Sequence, residues 1–162
     1  MLNKTAKLLC VLACAAMFFI GCAGKNSKPQ TMRSIAFRLK PGEDLKHGIL
    51  KTVTENNIKA GWISMAVGSL ERYNIRFANQ PEGSGGTGHF EIVSLPGTLS
   101  INGCHIHISI SDSTGKTIGG HLLDGNIVYT TAEIVIQQSD DFEFAREKDG
   151  TTPWDELQVK PR

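Results

Sequence analysis

Three histidines, His105, His107 and His121, are the residues of this 162-residue chain whose type and spacing best suit chemistry. His105 and His107 stand two apart in an alternating segment, so their side chains point to the same face of a predicted strand. His121 lies fourteen residues beyond His107, on the next predicted strand, and alternation places it on the same face. Three neutral imidazoles around one volume suit zinc or another borderline divalent metal with an open fourth position.

A second interpretation of these histidines needs no metal, since they could form hydrogen bonds to Ser100, Thr98 and Ser109 in a subunit interface. The three histidines could also bind a small ligand. If a metal does bind, a closed site would hold a trimer together and make the protein a structural or sensing module. A site with a bound water could instead perform hydrolysis or a lyase reaction, with Glu91 or Glu133 as general base. Glu91 equally suits a structural contact across a subunit interface.

The hairpin that carries the first two histidines is predicted from the dipeptide Asn102-Gly103, the preferred loop of a two-residue type I′ turn. This turn predicts three residue pairs: Ile101 with Cys104, Ser100 with His105, and Thr98 with His107. Ile106, Ile108 and Ile110 then occupy the opposite face of the strand, which is the face that a core would take.

The remaining alternation is mostly that of strands, with one helix. Asp44 is a plausible N-cap for a helix with Leu45, Ile49 and Val53 on one stripe. Further segments are assigned as two strands, 61–70 and 72–77, a glycine-rich loop, 81–88, and a final strand, 127–136, that is apolar on both faces. The fold class is therefore α+β, a mostly antiparallel sheet of about seven strands with one main helix in a single domain.

The N-terminus has the layout of a bacterial lipoprotein signal. Lys4 and Lys7 precede an apolar block, 8–20, that is short for a membrane span, and Gly21-Cys22 resembles a lipobox. We expect residues 1–21 to be a signal peptide, Cys22 to be lipidated, and residues 22–32 to be a polar tether. The protein would then be anchored by lipid to a membrane of the cell envelope.

Charge and cysteine usage narrow the classes of partner. The chain has 17 basic and 16 acidic residues, and cleavage of the signal removes two lysines, which leaves 15 against 16. This near-neutral balance disfavours a duplex-DNA binder, which usually shows a basic face. Cys104 is the one cysteine left inside the domain, and it is best explained as a small buried apolar residue, with a metal role as the alternative.

Four sequence blocks together resemble the plants-and-prokaryotes-conserved (PPC) domain. They are His89-Phe90-Glu91-Ile92-Val93-Ser94-Leu95, the His105-Ile106-His107 strand that ends in Asp112, Gly119-Gly120-His121-Leu122, and Thr130-Thr131-Ala132-Glu133-Ile134-Val135-Ile136. The resemblance covers roughly residues 34–143 and implies an α+β domain. Composition and periodicity predict the domain at residues 33–148, followed by a C-terminal tail at 149–162. The resemblance also implies a homotrimer that serves in assembly and partner binding.

In plants this family lies behind AT-hooks, which make the DNA contact, and bacterial members carry a DNA-binding label on that basis. This chain has no Arg-Gly-Arg-Pro hook, and we expect its N-terminus to be an export signal. We therefore expect a trimeric binding module without catalysis, with a metal-dependent hydrolase or lyase as the first alternative and a DNA-binding protein as the second.

Overall fold

The computed structural model describes residues 32–162; the predicted signal peptide, Cys22 and the tether up to residue 31 lie outside the described residues. The described part contains one α-helix, α1 (Leu45–Glu55), and nine strands. The strands are β1 (Met32–Leu39), β2 (Gly61–Arg76), β3 (Ser84–Ser94), β4 (Gly97–Ser100), β5 (Gly103–Ser111), β6 (Thr117–Leu122), β7 (Ile127–Ser139), β8 (Phe142–Glu147) and β9 (Glu156–Pro161). Within residues 32–162, no helix has the length and apolar character that crossing a membrane requires.

Seven strands form one antiparallel sheet in the order β1-β7-β2-β3-β5-β4, with β6 paired to both β2 and β5. Strand β2 also pairs with β4, so β2 and β5 are bridged by three other strands and the sheet curls back on itself. Strands β8 and β9 form a separate antiparallel pair. The predicted α+β class, with one helix and a seven-stranded antiparallel sheet in a single domain, is confirmed.

Helix α1 begins where the sequence predicts. The Asp44 carboxylate accepts a hydrogen bond from the His47 amide at 2.9 Å, which satisfies one of the free N–H groups of the first turn. Leu45, Ile49 and Val53 are at most 1% exposed and pack the helix against the sheet. Full burial of such a side chain stabilises the fold by about 1.5–3 kcal/mol.

Strand β5 alternates as predicted, with Ile106, Ile108 and Ile110 in the core. The apolar composition of strand β7 predicts burial of both faces, beneath another layer or at a subunit contact, and one face is buried within the single chain. Ile134 and Ile136 are at most 1% exposed, whereas Tyr129 is 39% exposed. Burial of the second face at a subunit contact stays a prediction.

The hairpin between β4 and β5 forms with a different register from the predicted one. The observed pairs are Ser100 with Gly103, Leu99 with Cys104, and Thr98 with His105, so the loop is Ile101-Asn102. Longer-range contacts decide this turn: the Ile101 amide donates to the Ile58 carbonyl, and the Ser100 hydroxyl donates to the Phe144 carbonyl. The observed pairing is offset by two residues from the predicted one: Thr98 pairs with His105, whereas the predicted partner is His107. An offset of two residues leaves each side chain on its predicted face of the sheet.

Three other segments differ from the sequence assignment. The predicted strands 61–70 and 72–77 form the single strand β2, and the break between Leu70 and Arg72 is a shift in register, as in a β-bulge. Much of the predicted loop 81–88 belongs to β3. Gly86 lies against the Tyr73 ring, and a Cβ at this position would stand only 2.7 Å from Cε1 of Tyr73. The predicted C-terminal tail carries strand β9.

Candidate metal centre

The pairing of β5 with β6 brings the three histidines together. His107 lies directly opposite His121, and His105 precedes His107 by two residues on the same face of β5. Gly119 permits this close pairing, since a Cβ there would stand 2.7 Å from the Ile108 carbonyl oxygen. The sequence prediction that all three imidazoles share one face is therefore confirmed.

The end of β6 that carries His121 is fixed by a buried amide. The Asn126 side chain is fully buried and donates to the carbonyl oxygens of Leu123 at 2.7 Å and Asn74 at 2.9 Å. It also accepts a hydrogen bond from the Asn74 amide at 3.1 Å. Because a buried amide with satisfied partners resists displacement, Asn126 holds the loop after β6 against β2 and fixes the position of His121.

The histidine rings are close enough to share one ion. One nitrogen from each of the three lies within 4.8 Å of the other two. The Nε2 atoms of His105 and His107 are 3.1 Å apart. Two imidazole nitrogens in a tetrahedral zinc site lie about 3.3 Å apart, given Zn–N bonds of about 2.0–2.1 Å. The His105–His107 pair is close to this spacing, and a nitrogen of His121 lies within 4.8 Å of both.

Electrostatics favour the neutral imidazole that a metal requires. Burial lowers the pKa of His121 from 6.5 to about 4, assisted by the nearby charges of His105 and Arg76. Burial also lowers the pKa of His105, assisted by Arg146 and His107. Since a protonated imidazole has no lone pair to donate, these shifts leave both side chains ready to bind a cation at neutral pH. The donor set therefore fits zinc or a similar divalent metal.

Two of the three hydroxyl groups proposed as alternative partners for the histidines, those of Thr98 and Ser100, form hydrogen bonds elsewhere. The Thr98 hydroxyl accepts a hydrogen bond from Nη2 of Arg146 at 2.7 Å, and the Ser100 hydroxyl donates to the Phe144 carbonyl at 2.8 Å. The His105 ring lies 4.9 Å, centroid to centroid, from the rings of both His107 and His121. The geometry thus supports shared coordination better than a set of separate hydrogen bonds.

Cys104 and the two candidate carboxylates take other positions. The Cys104 side chain packs against the hydrophobic core, and its burial raises the pKa of the thiol. Glu91 is exposed on β3 opposite Ser111, and Glu133 is exposed on β7 opposite Arg38. Within residues 32–162, the group of ligand atoms close enough to hold a metal consists of the three histidines.

A cleft of about 650 Å³ opens beside the histidines. Apart from the histidines and Cys104, its lining residues were not predicted from the sequence. Its ionisable and aromatic lining consists of Arg76, Cys104, His105, His121, Arg146, Trp154, Asp155 and Glu156. Arg146 lies on β8, whereas Trp154, Asp155 and Glu156 lie within the predicted C-terminal tail, 149–162. Trp154 was the available signal, because a large aromatic in a polar C-terminal segment often marks a contact surface.

Comparison with known proteins places these features in a family. The family model of the Plants and Prokaryotes Conserved (PCC) domain, abbreviated PPC above, matches residues 26–140. The bifunctional protein GlmU of Synechococcus sp. (strain JA-2-3B'a(2-13)) is 37% identical over 133 residues, which is 82% of this chain and 21% of that protein. The chain thus spans about a fifth of the length of this curated relative.

Solved structures agree with the family match. A hypothetical protein from Salmonella enterica has a TM-score of 0.80 and 36% identity, covering 83% of this chain and 98% of that one. The metal-containing protein AF0104 from Archaeoglobus fulgidus has a TM-score of 0.67 and 27% identity, with coverage of 78% and 93%.

A third structure, from Bacteroides thetaiotaomicron, is named as a candidate DNA-binding protein. It has a TM-score of 0.68 and 18% identity, with coverage of 80% and 96%, a likeness that shows the fold alone. The sequence blocks, the fold and the family match agree, and the chain belongs to the Plants and Prokaryotes Conserved domain family.

Proposed function

We propose that this protein is a lipid-anchored, trimeric PPC-domain module that binds a divalent metal, zinc or a close relative, through His105, His107 and His121. The observation that carries the proposal is the approach of three imidazole nitrogens to within 4.8 Å on two paired strands. The name of the Archaeoglobus relative, a metal-containing protein of the same fold at 27% identity, supports it. Three protein ligands leave a fourth position for a water or a small ligand.

Elemental analysis of the purified domain, residues 33–162, tests the metal site. We expect about one metal per subunit in the wild type and its loss in His105→Ala and His121→Ala. His47→Ala is the matched control, since His47 lies on α1 and outside the cluster, and it should keep the metal. A metal-free wild type after growth and refolding with zinc would contradict the proposal.

Self-association is supported by exposed apolar side chains on the open side of the sheet. Met65 and Val93 are 49% and 58% exposed and line one shallow groove, and Val67 is 50% exposed. Exposed apolar patches of this kind usually mark interaction surfaces. Light scattering should give a trimer for the wild type, smaller species for Val67→Glu, and a trimer for the control Val159→Glu on β9. A monomeric wild type would rule out the trimer.

Attachment to the cell envelope rests on the sequence around Cys22. Membrane fractionation of the full chain, followed by mass spectrometry of the mature N-terminus, should find a diacylated Cys22. The Cys22→Ser variant should be found in the soluble fraction. An unprocessed N-terminus in the wild type would exclude a lipid anchor at this residue.

A metal-dependent hydrolase or lyase is the second candidate, and the cleft beside the histidines favours it. The cleft would leave room for a substrate next to a metal-bound water. The carboxylate of Glu156 lines the cleft and is a candidate general base, whereas the sequence candidates Glu91 and Glu133 are not among its lining residues. A screen of ester, phosphate and amide substrates with zinc-loaded protein tests this, with His121→Ala as the control. Activity that survives the loss of the metal would exclude this mechanism.

A further inference from the structure

The cleft beside the histidines contains two arginines, Arg76 and Arg146, whose guanidinium groups form no ion pair with the residues that the structure describes. Arg76 lies directly opposite His121 across the β2–β6 pairing. Arg146 donates to the Thr98 hydroxyl at 2.7 Å, and Thr98 lies directly opposite His105 across the β4–β5 pairing. The two cations therefore flank the histidine cluster from two different strands. Within residues 32–162, the ion pairs up to 4.0 Å involve lysines and His47 and neither of these arginines.

The surrounding structure holds both arginines in place. Gly103, with φ +128°, lets the stem of Arg146 cross the turn of the hairpin, because a Cβ there would stand 3.0 Å from Cγ of Arg146. The Phe144 amide donates to the Lys59 carbonyl at 2.8 Å, which docks β8 beside the start of β2. The Cζ atom of Arg76 stands 5.9 Å from the centroid of the Trp154 ring, at cation–π range. Both guanidinium groups are thus placed before any ligand arrives.

Most of the N–H donors of these two side chains have no partner among the described residues. A guanidinium has five donors in a planar fork. Arg146 uses one of them on the Thr98 hydroxyl, and Arg76 uses one on the Gln80 carbonyl at 3.5 Å. This fork matches the paired oxygens of a carboxylate or a phosphate. Asp155 and Glu156 line the same cleft, so it also offers acceptors for the hydroxyl or amino part of a ligand. A volume of about 650 Å³ suits a small organic molecule.

We propose that this cleft binds a small organic oxyanion, a carboxylate or a phosphate that also carries hydroxyl or amino groups, with its charged group held by Arg76 and Arg146 beside the metal. The inference rests on the proposed function, since the oxyanion would reach the fourth position of a metal held by the three histidines. It adds a ligand class and two binding residues to that site.

Cobalt-substituted protein tests the proposal, because the visible spectrum of Co²⁺ reports ligands that enter its coordination shell. The probes are inorganic phosphate and malate, titrated in turn so that the two anion classes are distinguished. We expect at least one probe to change the spectrum of the wild type. The dissociation constant should rise about tenfold or more in Arg76→Gln and in Arg146→Gln, because each loses a charge-assisted hydrogen bond.

The control is Arg72→Gln, which removes an exposed arginine four residues earlier on β2 and should leave the affinity unchanged. Metal content is measured separately for every variant, and all three should retain it. If the metal is bound but neither probe binds, or the cleft variants bind as the wild type does, the oxyanion site is overturned and the metal site stands. If the wild type takes up no metal at all, the proposed function fails and the oxyanion site fails with it.

Discussion

The two faces of strand β5 are built from alternate residues of one short segment, yet they differ in what they contribute. The inner face presents Ile106, Ile108 and Ile110, which are at most 2% exposed and belong to the core. The outer face presents His105 and His107, which meet His121 of the neighbouring strand. The inner face thus contributes stability to the fold, and the outer face provides candidate chemistry at little cost to that stability.

The difference teaches that one strand can separate fold from function by its period of two. A change on the inner face should act on the free energy of unfolding whether or not a metal is present. A change on the outer face should act mainly through the ligand. Measurements of stability with and without metal can therefore distinguish the two faces.

The largest effect is expected on the inner face. Ile108→Ala should lower the free energy of unfolding by about 2–5 kcal/mol, because it removes buried methyl groups and leaves a cavity. Urea unfolding of the metal-free domain, followed by circular dichroism, gives the value. A loss below about 1 kcal/mol would show that Ile108 is not in a well-packed core.

The second effect is stabilisation by the metal itself. Zinc that binds the folded state alone should raise the free energy of unfolding by about 2.7 kcal/mol at a free concentration 100 times the dissociation constant. Urea unfolding in zinc buffers and in a chelator measures this difference. His107→Ala should show no such stabilisation, whereas the control His47→Ala should behave as the wild type does. Equal stabilisation of His107→Ala would place the zinc elsewhere.

The inner face and the helix could be derived from the sequence because both depend on local patterns. Asp44 caps α1 as expected, and Leu45, Ile49 and Val53 form its buried stripe. The shared face of the histidines was also predictable, even though the register of the hairpin was wrong. The observed shift moves the pairing by two residues, and a shift of two leaves each side chain on its predicted face.

The lining of the cleft could not be predicted from sequence patterns, because its residues are distant from one another in the chain. Arg76 meets His121 through the pairing of β2 with β6, and Arg146 reaches Thr98 from a hairpin that begins after the main sheet ends. Neither arginine stands at a motif spacing from a histidine. The hairpin register was likewise decided by a distant carbonyl group, that of Ile58. Such contacts follow from the assembled fold.

A smaller effect on the outer face concerns pH. In the metal-free protein the pKa of His121 is lowered to about 4 by burial and by the charges of His105, Arg76, His107 and Lys46. The unfolded chain then binds more protons between about pH 4 and 6.5, so the free energy of unfolding should fall as the pH drops through this range. Urea unfolding of the metal-free domain across these pH values measures the slope. His121→Asn should reduce it, and an unchanged slope would contradict the assigned shift.

The smallest expected effect is that of His107→Ala in the absence of metal. The His107 side chain is exposed, and its contact is with another histidine, so its removal leaves neither a cavity nor a buried group without a partner. Surface changes of this kind usually alter the free energy of unfolding by less than about 0.5 kcal/mol. Urea unfolding in a chelator, beside Ile108→Ala in the same buffer, compares adjacent positions on opposite faces. A loss for His107→Ala near that of Ile108→Ala would mean that the histidine face is structural, because a metal-binding role alone gives no reason for a cost when the metal is absent.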